Sequence, residues 1–244
     1  MKFLIIGDLH GQMPTIHFKD FDAIIAPGDF CSDAPRQYMF EALKKQLEDA
    51  KSKMQWYDIV GKKEAKKMIA KSLADGRKVL EFLNSFNVPV YATPGNWDWT
   101  EEKNAKWSFI KKDRWKELIK GLKNIKDTHH TTIHAQEYVI IGHGISSGPE
   151  YPQYEEDVNR LKKKRKFAKV KRAYETEKKI VSQLFKKTKK PVIFTPHNVP
   201  FNTTLDQINN PHSPRHGYHY GSLIAREMVD QYQPLVCIGG HMHE

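Results

Sequence analysis

The stretch KFLIIGDLHG, Lys2 to Gly11, sets a short apolar run directly ahead of an aspartate and a histidine two residues apart, Asp8 and His10. The run Lys2–Gly7 reads as a buried strand: it is short, apolar and closed by Gly and Asp. The same arrangement recurs along the chain. Asp22–Pro27 leads to Asp29 in PGDFCSD, and Val88–Ala92 leads to Asn96 in TPGNWDWTEE, Thr93 to Glu102. Pro191–Thr195 leads to His197 in TPHNVP, and Pro234–Ile238 leads to His241 and His243 in GGHMHE. A further strand is expected over Tyr138–Ile141. Helices are expected over Pro35–Lys51, Lys62–Phe86, Asp113–Lys120, Glu155–Lys187 and Ser222–Gln231. Strand–helix alternation of this kind predicts a layered α/β fold. No repeat or low-complexity linker interrupts it, so residues 1–244 are expected to form one domain.

In α/β sheets the carboxyl ends of the strands gather ligands along one edge. Here five strand ends carry two Asp, four His and one Asn: Asp8, His10, Asp29, Asn96, His197, His241 and His243. A single histidine among them would mean little, since most serve as hydrogen-bonded structural residues. Seven such groups together would be costly to bury without a cation. Mixed imidazole and carboxylate suits Zn, Fe, Mn or Ni. The number of ligands is enough for two ions if one carboxylate is shared, the usual arrangement for attack on phosphate esters.

The order Asp-x-His, Gly-Asp, Gly-Asn-x-Asp, His, Gly-His-x-His resembles the calcineurin-like metallophosphoesterase superfamily, and it spans Asp8 to His243. The resemblance implies a four-layer α/β/β/α sandwich of two mixed sheets. It implies that Asp8, His10 and His243 hold one divalent ion, that Asn96, His197 and His241 hold a second, and that Asp29 bridges them. Manganese is the first expectation for the pair, with Fe, Zn or Ni as alternatives. Water activated between the ions would then attack phosphorus. Relatives usually continue into two or more strands beyond the last motif. This chain stops at Glu244, so either its last C-terminal strands are lacking or its second sheet is smaller.

Most of the family carries His where this chain has Trp97. Indole donates a hydrogen bond but cannot act as a general acid near neutral pH. The expectation is therefore a phosphodiesterase-like activity, or one on a small phosphorylated substrate, with another group supplying the proton. His219 is the leading candidate and is grouped with Asp29 and Asn96 as catalytic; His143 in GHG is the alternative. Trp97, His143, Arg215 and His219 are the expected substrate contacts, with Trp97 stacking on a base or aromatic group and Arg215 clamping phosphate. The last two lie in the polar loop Asn209–Ser222, whose His212 and His216 read as incidental. Asp98, deprived of its usual imidazole partner, reads equally as a turn cap or as support for a ligand. No role is carried onto Asp33, which lies one residue away from the family's position.

The chain has 40 Lys and Arg against 29 Asp and Glu, a net charge of +11. Nearly all the excess lies between Tyr151 and Lys190, with 15 basic and 5 acidic residues, a net of +10. A basic helix over 155–187 with a solvated cationic face is the simpler reading, because Val170, Tyr174, Val181, Leu184 and Phe185 fall on one side of it. A nuclease or RNA-associated phosphoesterase using that face is the alternative, and a metal-binding scaffold without activity is a third. No apolar run approaches the ~20 residues that span a bilayer, and the N-terminus lacks a secretory pattern. A cytoplasmic protein without membrane attachment is expected. Cys31 and Cys237 lack metal-motif spacing and are expected to be reduced thiols.

Overall fold

The computed structural model describes residues 1–49, 51–100, 113–213 and 215–243. Glu101 and Glu102 at the end of the third motif's stretch, Ala50 of the first expected helix, Pro214 of the polar loop and Glu244 lie outside the described residues. The chain divides into two compact units. The first comprises Met1–Ile25, Asp29–Val90 and Asn96–Lys126; the second comprises Ala26–Gly28, Tyr91–Gly95 and Asp127–Glu244.

Among the described residues there are two sheets of four strands each. One has the order β1 (Phe3–Ile5), β2 (Ala23–Ala26), β3 (Val90–Ala92), β4 (Ile125–Asp127). The other has the order β5 (Thr132–Ala135), β6 (Tyr138–His143), β7 (Val192–Pro196), β8 (Val236–Cys237). β1 and β2 run parallel, as do β6, β7 and β8, whereas β5 pairs with β6 antiparallel. The second sheet is therefore mixed, as expected. β2 and β3 are buried throughout, which explains their continuous apolar runs. β4 and β5 escaped the sequence reading. IKD and TIHA offer only three and four residues, and both carry polar groups.

The first unit is organised by α3 (Lys62–Asn84). Its buried positions Ala65, Ile69, Ser72, Gly76, Val79, Leu80 and Leu83 recur every three or four residues, the spacing of one helical face. That face lies against the loop after β2. A Cβ on Gly76 would come within 2.5 Å of the Cys31 sulfur, so glycine sets how closely helix and loop approach. Among the described residues, the remaining helices of this unit are α1 (Arg36–Glu48), α2 (Trp56–Val60) and α4 (Trp115–Ile119). The short α2 was not expected; the reciprocal capping of Gln55 and Asp58 starts it.

In the second unit the expected single helix over 155–187 is two, α5 (Glu155–Lys163) and α6 (Phe167–Lys186). The N–H of Lys166 bonds the carbonyl of Leu161, and that of Arg165 bonds the carbonyl of Lys162. This is a Schellman stop with Arg165 left-handed at φ 53°. Glycine usually fills that position, so the sequence carries no stop signal. Tyr174, Val181, Leu184 and Phe185 of α6 pack with Val139, Ile141 and Phe194 of the sheet and with Ile224 and Met228 of α7 (Leu223–Tyr232). Val170, expected on the same stripe, is only partly buried. Both cysteines are free. Burial, with Asp98 beside it, pushes the Cys31 thiol well up, and burial raises Cys237 to about 12. No described helix is long and apolar enough to cross a membrane.

Candidate functional site

In the first unit the loop after β1 is tied to the loop after β2. His10 N–H bonds the Asp29 carbonyl at 2.9 Å, and Gly11 N–H bonds the Phe30 carbonyl at 2.8 Å. Gly11 is needed there: φ is +77°, and a Cβ would lie 2.8 Å from the Cβ of Asp75. His10 Nε2 consequently stands 3.8 Å from Asp29 Oδ2. The other oxygen, Asp29 Oδ1, accepts the N–H of Trp97 at 2.8 Å. Asp29 is 1% exposed and Asn96 6%.

Asp98 lies against the loop of Asp29, an expected ligand, and not only against the turn that follows it. Fully buried, its carboxylate accepts the N–H groups of Asp29 (3.0 Å), Phe30 (2.9 Å) and Cys31 (3.0 Å). It caps a turn, and that turn is the one that carries Asp29. Trp99 continues the anchorage by donating to Ser72 Oγ, which donates to the Ser32 carbonyl. Trp97 is itself buried, edge-on to Trp99 with ring centroids 6.5 Å apart. The expected open stacking platform at Trp97 is corrected accordingly: the contribution visible here is its backbone N–H, and its indole fills core.

In the second unit His197 follows β7, fully buried, with Nδ1 2.7 Å from the Pro27 carbonyl. A carbonyl at that distance sets the proton on Nδ1, so Nε2 carries the lone pair. Gly28 makes room for this pose. Its φ is +115°, and a Cβ would fall 2.7 Å from His197 Nδ1 and 2.6 Å from Gly95 N. The loop after β8 is tied to the loop after β7 through Gly240 N–H and the His197 carbonyl, 2.7 Å. The rings of His241 and His197 meet edge to face, 5.1 Å between centroids.

Five of the seven expected ligands share one backbone feature. Asp8 (φ 51°), His10 (45°), Asp29 (55°), His241 (78°) and His243 (53°) are all left-handed. Such conformations cost non-glycine residues about 1–3 kcal/mol each and gather where function over-determines the backbone. The donor set, the fixed His197 tautomer and the glycine cradle at Gly28 all fit a site for divalent cations.

The expected substrate contacts are placed less uniformly. His219 Nδ1 lies 2.7 Å from Asp206 Oδ1, and its ring side chain is 27% exposed. The Tyr154 hydroxyl accepts its N–H and donates to its carbonyl. Burial pushes the Asp206 carboxyl up, but hydrogen bonds from His219, Thr203, Gly221 and Asn202 outweigh it and hold the group below its ordinary value. Arg215 is not displayed as a phosphate clamp. Its guanidinium is engaged by Glu156 (2.7 Å) and Asp157 (2.6 Å) and lies over the Tyr218 ring, pinning the polar loop to α5. His143 is fully buried, with Nε2 3.3 Å from Glu150, so its surroundings are a buried polar cluster rather than a substrate-facing surface. Asp206, Glu150, His130 and Glu177 were missed by sequence reasoning. Only Glu177 left a signal, as an acid on the apolar stripe of α6.

The sequence profile described as Calcineurin-like phosphoesterase matches residues 1–244. The chain belongs to that family, and is thereby a metal-dependent hydrolase of phosphoester bonds. One solved crystal structure is similar over 98% of this chain and 83% of its own, with a TM-score of 0.61 and 16% identity. Another, the crystal structure of TT1561 of Thermus thermophilus, aligns over 97% of this chain and 80% of its own, with a TM-score of 0.47 and 13% identity. The first of these likenesses speaks to fold. No curated protein matches the chain.

Proposed function

We propose that residues 1–244 act as one catalytic domain that hydrolyses a phosphodiester or a small phosphorylated substrate at a dinuclear divalent centre. Asp8, His10 and His243 hold one ion, Asn96, His197 and His241 the other, and Asp29 bridges them. Manganese is the first choice, with Fe, Zn or Ni as alternatives. When bound, the ions supply Lewis-acid chemistry and neutralise phosphoryl charge. The observation that carries this reading is the left-handed backbone at Asp8, His10, Asp29, His241 and His243. These are five of the thirteen left-handed non-glycine residues among those described, and such strain gathers at functional sites.

The chain's own residues have separate tasks in this reading. Asp98 positions Asp29 by holding three successive N–H groups of its loop. Trp97 N–H bonds Asp29 Oδ1 and so holds the orientation of the carboxylate that would be shared by the two ions. Asn96 is a neutral donor and keeps its ion electrophilic. His219, oriented through Nδ1 by Asp206, holds the proton for the leaving group at Nε2, where Trp97 cannot serve. The Asp–His pairing supports this assignment, since a carboxylate on one ring nitrogen sets the role of the other.

A second reading is supported by the exposed run Lys162–Lys166 at the α5–α6 junction, which offers a surface to a nucleic-acid backbone. It predicts binding that weakens steeply with salt.

The test is a metal-by-substrate matrix of bis-aryl and mono-aryl phosphates with Mn, Ni, Zn, Fe and Mg. Hydrolysis of at least one ester with one metal, lost in Asp29→Asn, is expected. Full activity of Asp29→Asn would remove the bridging role, and no hydrolysis with any metal would remove the catalytic reading.

A further inference from the structure

A second group of potential ligands lies within the second unit, apart from the seven family positions. His130 follows β4, His143 ends β6 and Glu177 lies on the buried face of α6. His143 Nδ1 and His130 Nε2 are hydrogen-bonded at 3.4 Å, and each is 3.9 Å from Glu177 Oε1. Imidazole-to-carboxylate separations of 3.9 Å exceed hydrogen-bonding distance, ~2.7–3.2 Å. They are close to the spacing of ligands around an ion. Tetrahedral zinc, with bonds of about 2.0–2.1 Å to N and O, sets its ligands about 3.3–3.4 Å apart. The two imidazoles already stand at that spacing, and the Glu177 carboxylate needs a shift of roughly half an ångström to reach it.

The surroundings argue independently for ligation. His143 turns its other nitrogen, Nε2, to Glu150 Oε1 at 3.3 Å. Glu150 is an acceptor there, since it also receives the Ser222 hydroxyl (2.6 Å) and the N–H of Leu223 (2.8 Å). The proton of His143 accordingly sits on Nε2, and its Nδ1 lone pair is directed at His130 and Glu177. A ligating histidine whose far N–H meets a carboxylate is the common support of metal sites. The backbone is also bent to bring these groups together. His130 is left-handed at φ 53°, and its N–H bonds the Gly142 carbonyl. Gly142 permits the approach, because a Cβ there would lie 2.3 Å from Thr128 Oγ1. The side chains are 0% (His143), 9% (Glu177) and 19% (His130) exposed, so the group is enclosed but reachable from the His130 side.

We propose that His130, His143 and Glu177 form a further metal site that takes one zinc ion and ties the β4–β5 connection to β6 and α6. Two imidazoles and one carboxylate suit zinc among the divalent cations. The site does not depend on the hydrolytic reading.

The experiment counts zinc by mass spectrometry on the full-length chain, stripped with chelator, reloaded and desalted. Wild type, Asp29→Asn, His130→Ala, Glu177→Gln and Glu150→Gln are compared. His130→Ala and Glu177→Gln are each expected to retain one zinc fewer than wild type, while Asp29→Asn keeps the ion that they lose. Glu150→Gln is expected to keep the ion with affinity reduced about 10–100-fold. Glu177→Gln is nearly isosteric, and a far-UV circular dichroism spectrum matching wild type in the metal-free state separates loss of zinc from loss of fold. Equal zinc content and affinity in wild type, His130→Ala and Glu177→Gln would overturn the proposal. So would a Glu177→Gln protein that is less stable without metal but binds as much zinc, since the group would then be an ion network.

Discussion

The carboxylate of Asp98 holds Asp29 in place from within: its Oδ2 accepts the Asp29 N–H at 3.0 Å, and its Oδ1 accepts the next two N–H groups. Asp29 needs that support because its backbone is left-handed. Asp98→Ala should leave three buried N–H groups without their acceptor, each loss worth about 1–3 kcal/mol before relaxation. Metal affinity should fall about 10–100-fold, and Asp98→Asn, which retains one acceptor oxygen, should fall between wild type and Asp98→Ala. Urea unfolding and metal titration on the same samples measure both effects.

His219 should matter most where the leaving group is poor. His219→Ala is expected to lower kcat on alkyl esters by about 10²–10⁴-fold, the usual worth of a general acid, and to affect aryl esters far less. Asp206→Asn should act in the same direction more weakly, because it disturbs the orientation of the ring rather than removing it. A leaving-group series for the three proteins gives the answer, and equal losses across the series would deny His219 the proton.

Asp206 also makes a prediction about acid. Its carboxyl is held below the ordinary value of 3.8 in the folded chain. A depressed acid stabilises the fold above the unfolded value, and that contribution is lost as pH falls through 3.8 toward the folded value. Wild type should therefore lose stability over this range more steeply than Asp206→Asn. Chemical unfolding at a series of acidic pH values checks the difference in slope.

Gly28→Ala should be disproportionately harmful for one methyl group. The new Cβ would meet Gly95 N at 2.6 Å and His197 Nδ1 at 2.7 Å, at a φ of +115°. Overpacking of this sort costs about 1–3 kcal/mol, and here it also displaces His197, a proposed ligand. Thermal unfolding with and without metal should show a lower Tm and a smaller gain on adding metal.

Chelation should lower the Tm of wild type. A ligand present at about 100 times its Kd contributes about 2.7 kcal/mol to the folded state. Adding Mn or Zn back should restore the loss, and calorimetry on stripped and reloaded protein measures it.

Much of this was legible in the residues. The strands at Phe3–Ile5, Ala23–Ala26 and Val192–Pro196 announce themselves as apolar runs closed by Gly, Asp or Pro, and the proposed ligands follow them directly. The family motif order extends over the same positions, and the sequence profile agrees along the whole chain. Less was legible where polar residues carry structure. β4 and β5 are too short and too polar to announce strands. The stop at Arg165 lacks its glycine, so a run of helix-favouring lysines reads straight through it. Arg215 has the chemistry of a phosphate clamp, but only the fold brings Glu156 and Asp157 to it.

Residue order alone specified which side chains stand at the ends of the strands, and thereby the class of chemistry. That information is local, because a strand and the turn after it lie close together along the chain. Packing in three dimensions selected the partners. Asp98 meets the loop of Asp29, 69 residues away; His197 meets the carbonyl of Pro27, 170 residues away; and Glu177 meets His130 and His143 from a helix. A hydrogen bond or a ligand contact depends on positions to a few tenths of an ångström. No spacing along the chain carries that information until sheets and helices have packed.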